Sequence, residues 1–150
     1  MKVVIASDHA GYNLKSRIIE HLRGGGDEVT DLGTDSTESV DYPQYAMEAA
    51  RAVSSGQADR GILVCGTGLG MCITANKFPG IRAVGPGSSG QAEMSRRHND
   101  ANVLCLGERT MDAGLALEIV DVWMETPFDG GRHSRRLDQI TDLESVRELE

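Results

Sequence analysis

The chain has 150 residues, 39% of them hydrophobic and 25% charged, with a formal net charge of -8. That length holds one core between two helical layers, so residues 1–150 are read as a single domain. No apolar run is long enough for a bilayer, and the negative charge repels polyanions, which argues against membrane spanning and sequence-independent nucleic-acid binding and requires any anion site to be local.

The first element is an apolar run at residues 2–6, too short for a signal-peptide core and read as a buried strand. It ends at Ser7-Asp8-His9, and Leu14, Ile18, Ile19 and Leu22 then recur at helical spacing until Gly24-Gly25-Gly26. A second strand is predicted at 29–32 and an alanine-rich helix at 42–53. Residues 61–65 form the clearest buried strand, 66–70 its glycine turn and 71–77 a helix. Two further cycles follow: a strand at 81–84 with a helix ending near His98, and a strand at 102–106 with a helix at 111–124. Strands alternating with helices require crossover connections. The expected fold is a three-layer αβα Rossmann-like sandwich with a five-stranded parallel sheet. A last helix, Arg132 to Leu149, has few apolar positions and is expected to lie on another subunit.

Ligands of open parallel sheets gather beyond the carboxyl ends of the strands, where Asp8-His9, the turn at Gly66 and the loop after Val84 belong. His98-Asn99-Asp100, before the fifth strand, is placed near the same edge. In Gly66-Thr67-Gly68-Leu69-Gly70 the backbone N–H groups can converge on an anion or a developing oxyanion, although glycines also serve plain tight turns. The spacing is GxGxG after the third strand, so the dinucleotide fingerprint is not met and a nicotinamide dehydrogenase is disfavoured. Cys65 stands immediately before these glycines, where N–H dipoles favour a thiolate usable as base or nucleophile; a buried inert cysteine is the alternative. Cys72 and Cys105 are assigned to packing. Three cysteines without a CxxC pair suggest neither disulfides nor a cysteine zinc site, so reduced thiols in the cytoplasm are expected. Arg132 and Arg136 are four apart, on one helical face where two guanidiniums can grip a phosphate. Arg96-Arg97 is read as an ordinary solvated face and His21 as a surface histidine.

Together these residues resemble the type B ribose-5-phosphate isomerase family, which includes allose- and galactose-6-phosphate isomerases. The resemblance rests on SDHAGYNLK at 7–15, DYP at 41–43, VCGTGLGM at 64–71, ANKFPGIRA at 75–83, HNDANVLCLGER at 98–109 and FDGGRHSRR at 128–136. It implies that Cys65 moves the proton between two carbons while Thr67 and the amides of Gly66, Gly68, Leu69 and Gly70 stabilise an enediolate. It implies further that His98 opens the sugar ring, that Asp8, His9 and Asn99 bind sugar oxygens, and that Arg109, Arg132 and Arg136 bind phosphate, with His133 nearby. Neither metal nor organic cofactor is implied. A homodimer, or a dimer of dimers, with each site between subunits is.

One segment departs from the family pattern: where members carry Cys-His-Asp-Thr-Tyr-Ser, this chain has Pro86-Gly87-Ser88-Ser89-Gly90-Gln91. Ribose 5-phosphate to ribulose 5-phosphate is the leading reaction, a six-carbon sugar phosphate the alternative, and a non-catalytic flavodoxin-like sensor of phosphate ligands the rival from another class.

Overall fold

The computed structural model describes residues 1–148. In chain order it contains β1 (Lys2–Ser7), a 3-10 turn (His9–Gly11), α1 (Tyr12–Gly24), β2 (Glu28–Asp31), α2 (Tyr42–Ser54), β3 (Arg60–Cys65), α3 (Leu69–Ala75), β4 (Ala83–Val84), α4 (Ser89–Arg97), β5 (Val103–Gly107), α5 (Ala113–Glu125) and α6 (Arg132–Glu148). The five strands form one parallel sheet in the order β2-β1-β3-β5-β4. The predicted α/β architecture is the observed one; Leu149, expected at the end of the last helix, lies outside the described residues.

Residues of the central strands β1, β3 and β5 are mostly apolar on both faces because helices cover both. Val3 and Ile5, Ile62 and Val64, and Leu104 and Leu106 turn toward α1 and α5 around the fully buried Trp123. The alternating set, Val4 and Ala6, Leu63 and Cys65, Val103 and Cys105, turns toward α2 and α3, where Ala46, Ala49 and Ala50 let α2 approach closely. Period-two alternation thus sorts each strand between two cores.

Two elements differ from the sequence reading. The helix after the glycine turn starts at Leu69 and not Met71, because Gly68 reverses the chain at positive φ and the helix follows at once. The fourth strand shrinks to Ala83–Val84, because the Arg82 N–H donates to the Asn102 side chain at 2.8 Å instead of to a ladder. Arg96, expected on a solvated face, is only 5% exposed. Its guanidinium pairs with Asp100 at 2.8 Å and donates to the carbonyls of Ala101 and Thr126, partners that helical periodicity does not reveal.

β1 and β3 lie side by side while β2 lies on the outer flank of β1, so the order in which strands are added reverses between β1 and β3 although all remain parallel. At this switch point the turn after β1 presses on β3: a Cβ on Gly11 would collide with the carbonyl of Val64. Replacing Gly11 by Ala should therefore cost about 1–3 kcal/mol, read as a lower midpoint in thermal unfolding; an unchanged midpoint would mean that the turn can move aside freely.

Candidate active site

Cys65 ends β3, paired in register with Gly107 of β5, and its side chain is buried under the α2 and α3 layer at 5% exposure. The chain then reverses through Gly68, at φ 79°, where a Cβ would sit only 3.0 Å from the Leu106 carbonyl carbon. The reversal aims the Gly68 N–H at Cys65 Sγ, 3.0 Å away. Negative charge on that sulfur would be met by a fixed donor. The exposed Thr67 hydroxyl accepts from the Leu69 N–H at 3.3 Å. Among the described residues the N–H groups of Gly66, Thr67 and Gly70 have no acceptor, so they are free for a ligand oxygen.

Several residues converge on this turn. Asp8 is 6% exposed and spends one carboxylate oxygen on the N–H groups of Ala10 and Gly11, at 2.9 and 3.1 Å, which fixes the turn that carries His9. His9 Nδ1 accepts from the Val40 N–H at 3.2 Å, and that bond assigns its proton to Nε2. Arg109 lies across the turn, with its Cδ and Nη1 each 3.4 Å from where a Gly66 Cβ would be. Two neighbours received no role from sequence. The Tyr42 ring covers Gly70, 2.6 Å from a would-be Cβ. Glu108 donates its N–H to Cys65 O at 2.9 Å and accepts the Leu14 N–H on its carboxylate, tying α1, β3 and β5 together. An acidic residue directly after a buried strand was the signal available for it.

His98 and Asn99 are elsewhere, which corrects the expectation that they share the edge of Cys65. His98 caps the C-terminal end of α4 and precedes β5, at the amino edge of the sheet. The length of β5, about 16 Å for five residues at ~3.3 Å each, separates it from the end that pairs with Cys65. The start of α6 joins this second group. The His98 and His133 rings stack with centroids 4.3 Å apart, and Arg97 pairs with Asp129 at 3.1 Å. Arg132 and Arg136 project from the same helical turns and are exposed. Within one chain the candidate residues thus form two half-sites: Cys65, Thr67, Gly66–Gly70, Asp8, His9 and Arg109 at one edge, and His98, Asn99, Arg132 and Arg136 at the other.

His98, Asp129 and His133 bring ligand atoms within 4.8 Å of one another. The donor set nevertheless suits an anion better than a cation, because Asp129 is engaged by Arg97 and two more guanidiniums adjoin His133. Withdrawal from water holds the His133 imidazole below its ordinary range, with His98, Arg132 and Arg136 pushing the same way against Asp129. A neutral His133 therefore accompanies the folded chain above the ordinary imidazole value of ~6.5. As pH falls below that value its protonation works against the stack. An NMR titration should give His133 a midpoint below ~6.5, shifted upward by Arg136→Gln; a midpoint at or above the ordinary value would contradict this.

A doubly wound α/β sheet with a thiol and free amides at its switch point, and arginines beside a histidine pair, defines a protein built for a small anionic metabolite. Comparison with known proteins narrows the class. The sequence profile of the Ribose/Galactose Isomerase family matches residues 3–140, and the chain belongs to that family. It is 49% identical to ribose-5-phosphate isomerase B of Escherichia coli (strain K12), over 97% of this chain and 98% of that one. Among solved structures, Clostridium thermocellum ribose-5-phosphate isomerase B superposes with a TM-score of 0.97 at 54% identity, covering 98% of this chain and 99% of that one. The Mycoplasma genitalium ribose-5-phosphate isomerase B with bound ribulose-5-phosphate gives 0.92 at 42% identity, covering 95% of each chain.

Proposed function

We propose that this chain interconverts ribose 5-phosphate and ribulose 5-phosphate through an enediolate, without a cofactor. The observation that carries the reading is the Cys65 sulfur held against the Gly68 N–H at the switch point, in a chain of this family. Cys65 removes the proton from C2 of the open-chain aldose and delivers it to C1. Thr67 and the free turn amides receive the charge growing on oxygen. His98 passes protons between the ring oxygen and the anomeric hydroxyl during ring opening. Asp8, His9 and Asn99 hold sugar hydroxyls, and Arg109, Arg132 and Arg136 take the phosphate, whose binding energy positions the reacting carbons.

The two half-sites support a site shared between copies. A two-fold dimer would set the His98 and Arg132 group of one chain against the Cys65 turn of the other. The face of α6 bearing Ile140, Leu143 and Val146, each at least half exposed, is the apolar surface such a partner would cover. We place the whole chain, as one domain, in the cytoplasm: its three cysteines are free, and among the described residues no helix is long and apolar enough to cross a membrane.

A panel of phosphorylated sugars tests the reaction. Ribose 5-phosphate should give the highest kcat/KM, and Cys65→Ala should lower kcat by at least about 10²-fold while sugar-phosphate binding persists. Near-normal turnover by that variant would remove Cys65 as the base. The panel should include six-carbon phosphates, because Gly85, Pro86 and Gly87 line a cavity of about 300 Å³ beside Thr67 and Gly68; a preference for one of them would reassign the substrate and leave the reaction class intact.

Mixing two inactive variants tests the shared site. Cys65→Ala and His98→Asn should each be nearly inactive alone. Subunits exchanged at random should recover about a quarter of wild-type activity, since half the dimers are mixed and each mixed dimer holds one intact site. No recovery after verified exchange would place each site within a single chain.

A further inference from the structure

The amino edge of the sheet holds a concentration of charge that the chemistry proposed above does not use. Arg60 opens β3, Arg82 and Asn102 directly precede β4 and β5, and Arg96 sits in the last turn of α4. With Asp59 and Asp100 these residues line a cleft of about 460 Å³, to which α6 contributes nothing among the described residues. Arg60 and Cys65 are the two ends of β3, five steps of ~3.3 Å or about 16 Å apart. Two of the guanidiniums are buried: Arg60 is 9% exposed and Arg96 5%. Arg60 Nη1 donates to the Trp123 and Met124 carbonyls at 2.7 and 3.0 Å, in the last turn of α5. Arg96 donates to the Thr126 and Ala101 carbonyls. The two oxygens of Asp100 take Arg96 Nη1 at 2.8 Å and Arg82 Nη2 at 3.4 Å, and Asp59 accepts the Lys2 N–H at 2.8 Å. Three cations therefore meet two carboxylates, and among the described residues Arg60 has no ion-pair partner. Burial first and Arg96 second pull Arg60 down to about 10 against Asp100, Asp59 and Asp27, so it stays charged at neutral pH.

Several donors are left over. Arg60 Nε and Nη2, Arg82 Nη1 and Arg96 Nη2 have no acceptor among the described residues. The described side-chain groups sealed from solvent without a partner are Ser7 Oγ and Trp123 Nε1. The unpaired nitrogens of the buried Arg60 and Arg96 therefore reach solvent, and the cleft is the opening they line. Guanidiniums held in place by their own carbonyl partners present the remaining N–H groups in a fixed fork, the geometry that suits an oxyanion. In a chain of net charge -8 this surplus is local, so it fits a small anion and not a polyanionic surface. No aromatic ring lines the cleft, so nothing there selects a nucleobase.

We propose that this cleft binds a phosphate group, free or as the ester of a small hydroxylated metabolite, with Arg60 supplying the unpaired charge and Arg82 and Arg96 flanking it. Asp100 is the internal competitor, because its carboxylate engages the two flanking guanidiniums when no anion is bound. Arg82 Nε also donates to the Asn99 and Asp100 carbonyls at 3.0 and 3.1 Å, so an occupant is tied to the segment that carries His98 and Asn99. That link to catalysis rests on the roles proposed for those two residues; the site itself does not.

The test follows the arginine Nε–Hε signals of the full chain by NMR during titration with inorganic phosphate and, separately, with glycerol 3-phosphate. It uses the Arg132→Gln/Arg136→Gln protein, so that the arginines of α6 do not compete. The Arg60 and Arg82 signals should move along one saturating curve, half-complete at about 1 mM or below. Because binding is read without turnover, it stands or falls apart from the isomerase reading. Arg82→Gln should weaken binding about tenfold. Asp100→Asn keeps a residue type at ease with the positive φ of 46° and removes the competitor, so it should tighten binding several-fold. Arginines that serve only to cap α5 would give no such gain. Tighter binding of the ester identifies a phosphorylated metabolite as the occupant; equal or weaker binding identifies free phosphate. Shifts that drift without saturating, as general screening produces, or an affinity unmoved by both Arg82→Gln and Asp100→Asn, would overturn the proposal.

Discussion

A parallel sheet has two unlike edges, and every strand of this one runs the same way. Whatever follows a strand is delivered to the carboxyl edge and whatever precedes one to the amino edge. Cys65 ends β3, Asp8 and Arg109 follow β1 and β5, and His98 and Asn99 precede β5. No local rearrangement brings these sets together in one chain, because the strands between them are the core itself. The proposed chemistry meets this constraint if a second copy supplies the missing half, as the shared-site proposal has it. The last helix, poor in core contacts of its own, fits that demand.

The carboxyl-edge half is stiffened by close approaches. Glycines at 11 and 68 bring backbone against backbone, Tyr42 lies on Gly70, and Glu108 bonds to both β3 and α1. Fixing donors before charge develops is what makes a turn useful for stabilising an oxyanion. Each contact also removes freedom from the chain around Cys65, so the precision of the site and the stability of the switch point rest on the same atoms.

Much of this was legible in the sequence because it is local. Apolar runs closed by turn residues marked all five strands, and the glycines after Cys65 marked the tight turn that its strand delivers. What escaped depends on partners far along the chain. Arg96 looked like a surface residue until Asp100, Ala101 and Thr126 enclosed it, and Glu108 looked like any acid after a strand until Leu14 arrived from α1. His98 escaped for another reason: an imidazole with hydrogen-bonding neighbours suggests the edge where ligands gather, whereas strand polarity assigns a residue that precedes β5 to the amino edge.

The unequal anchoring of the two halves has a mechanical consequence. The Cys65 turn is braced on several sides, whereas α6 meets the body through the His133 stack, the buried side of Leu137 and a 2.8 Å hydrogen bond from the Gly80 N–H to Glu144. In the shared site proposed above, compliance would then reside with Arg132 and Arg136 on α6, while Arg109 stays with the braced turn. Phosphates set at different distances from the reacting carbons would be met by swinging a lever against a fixed turn, so that tolerance for sugar length and accuracy of proton transfer would be carried by separate parts of the molecule.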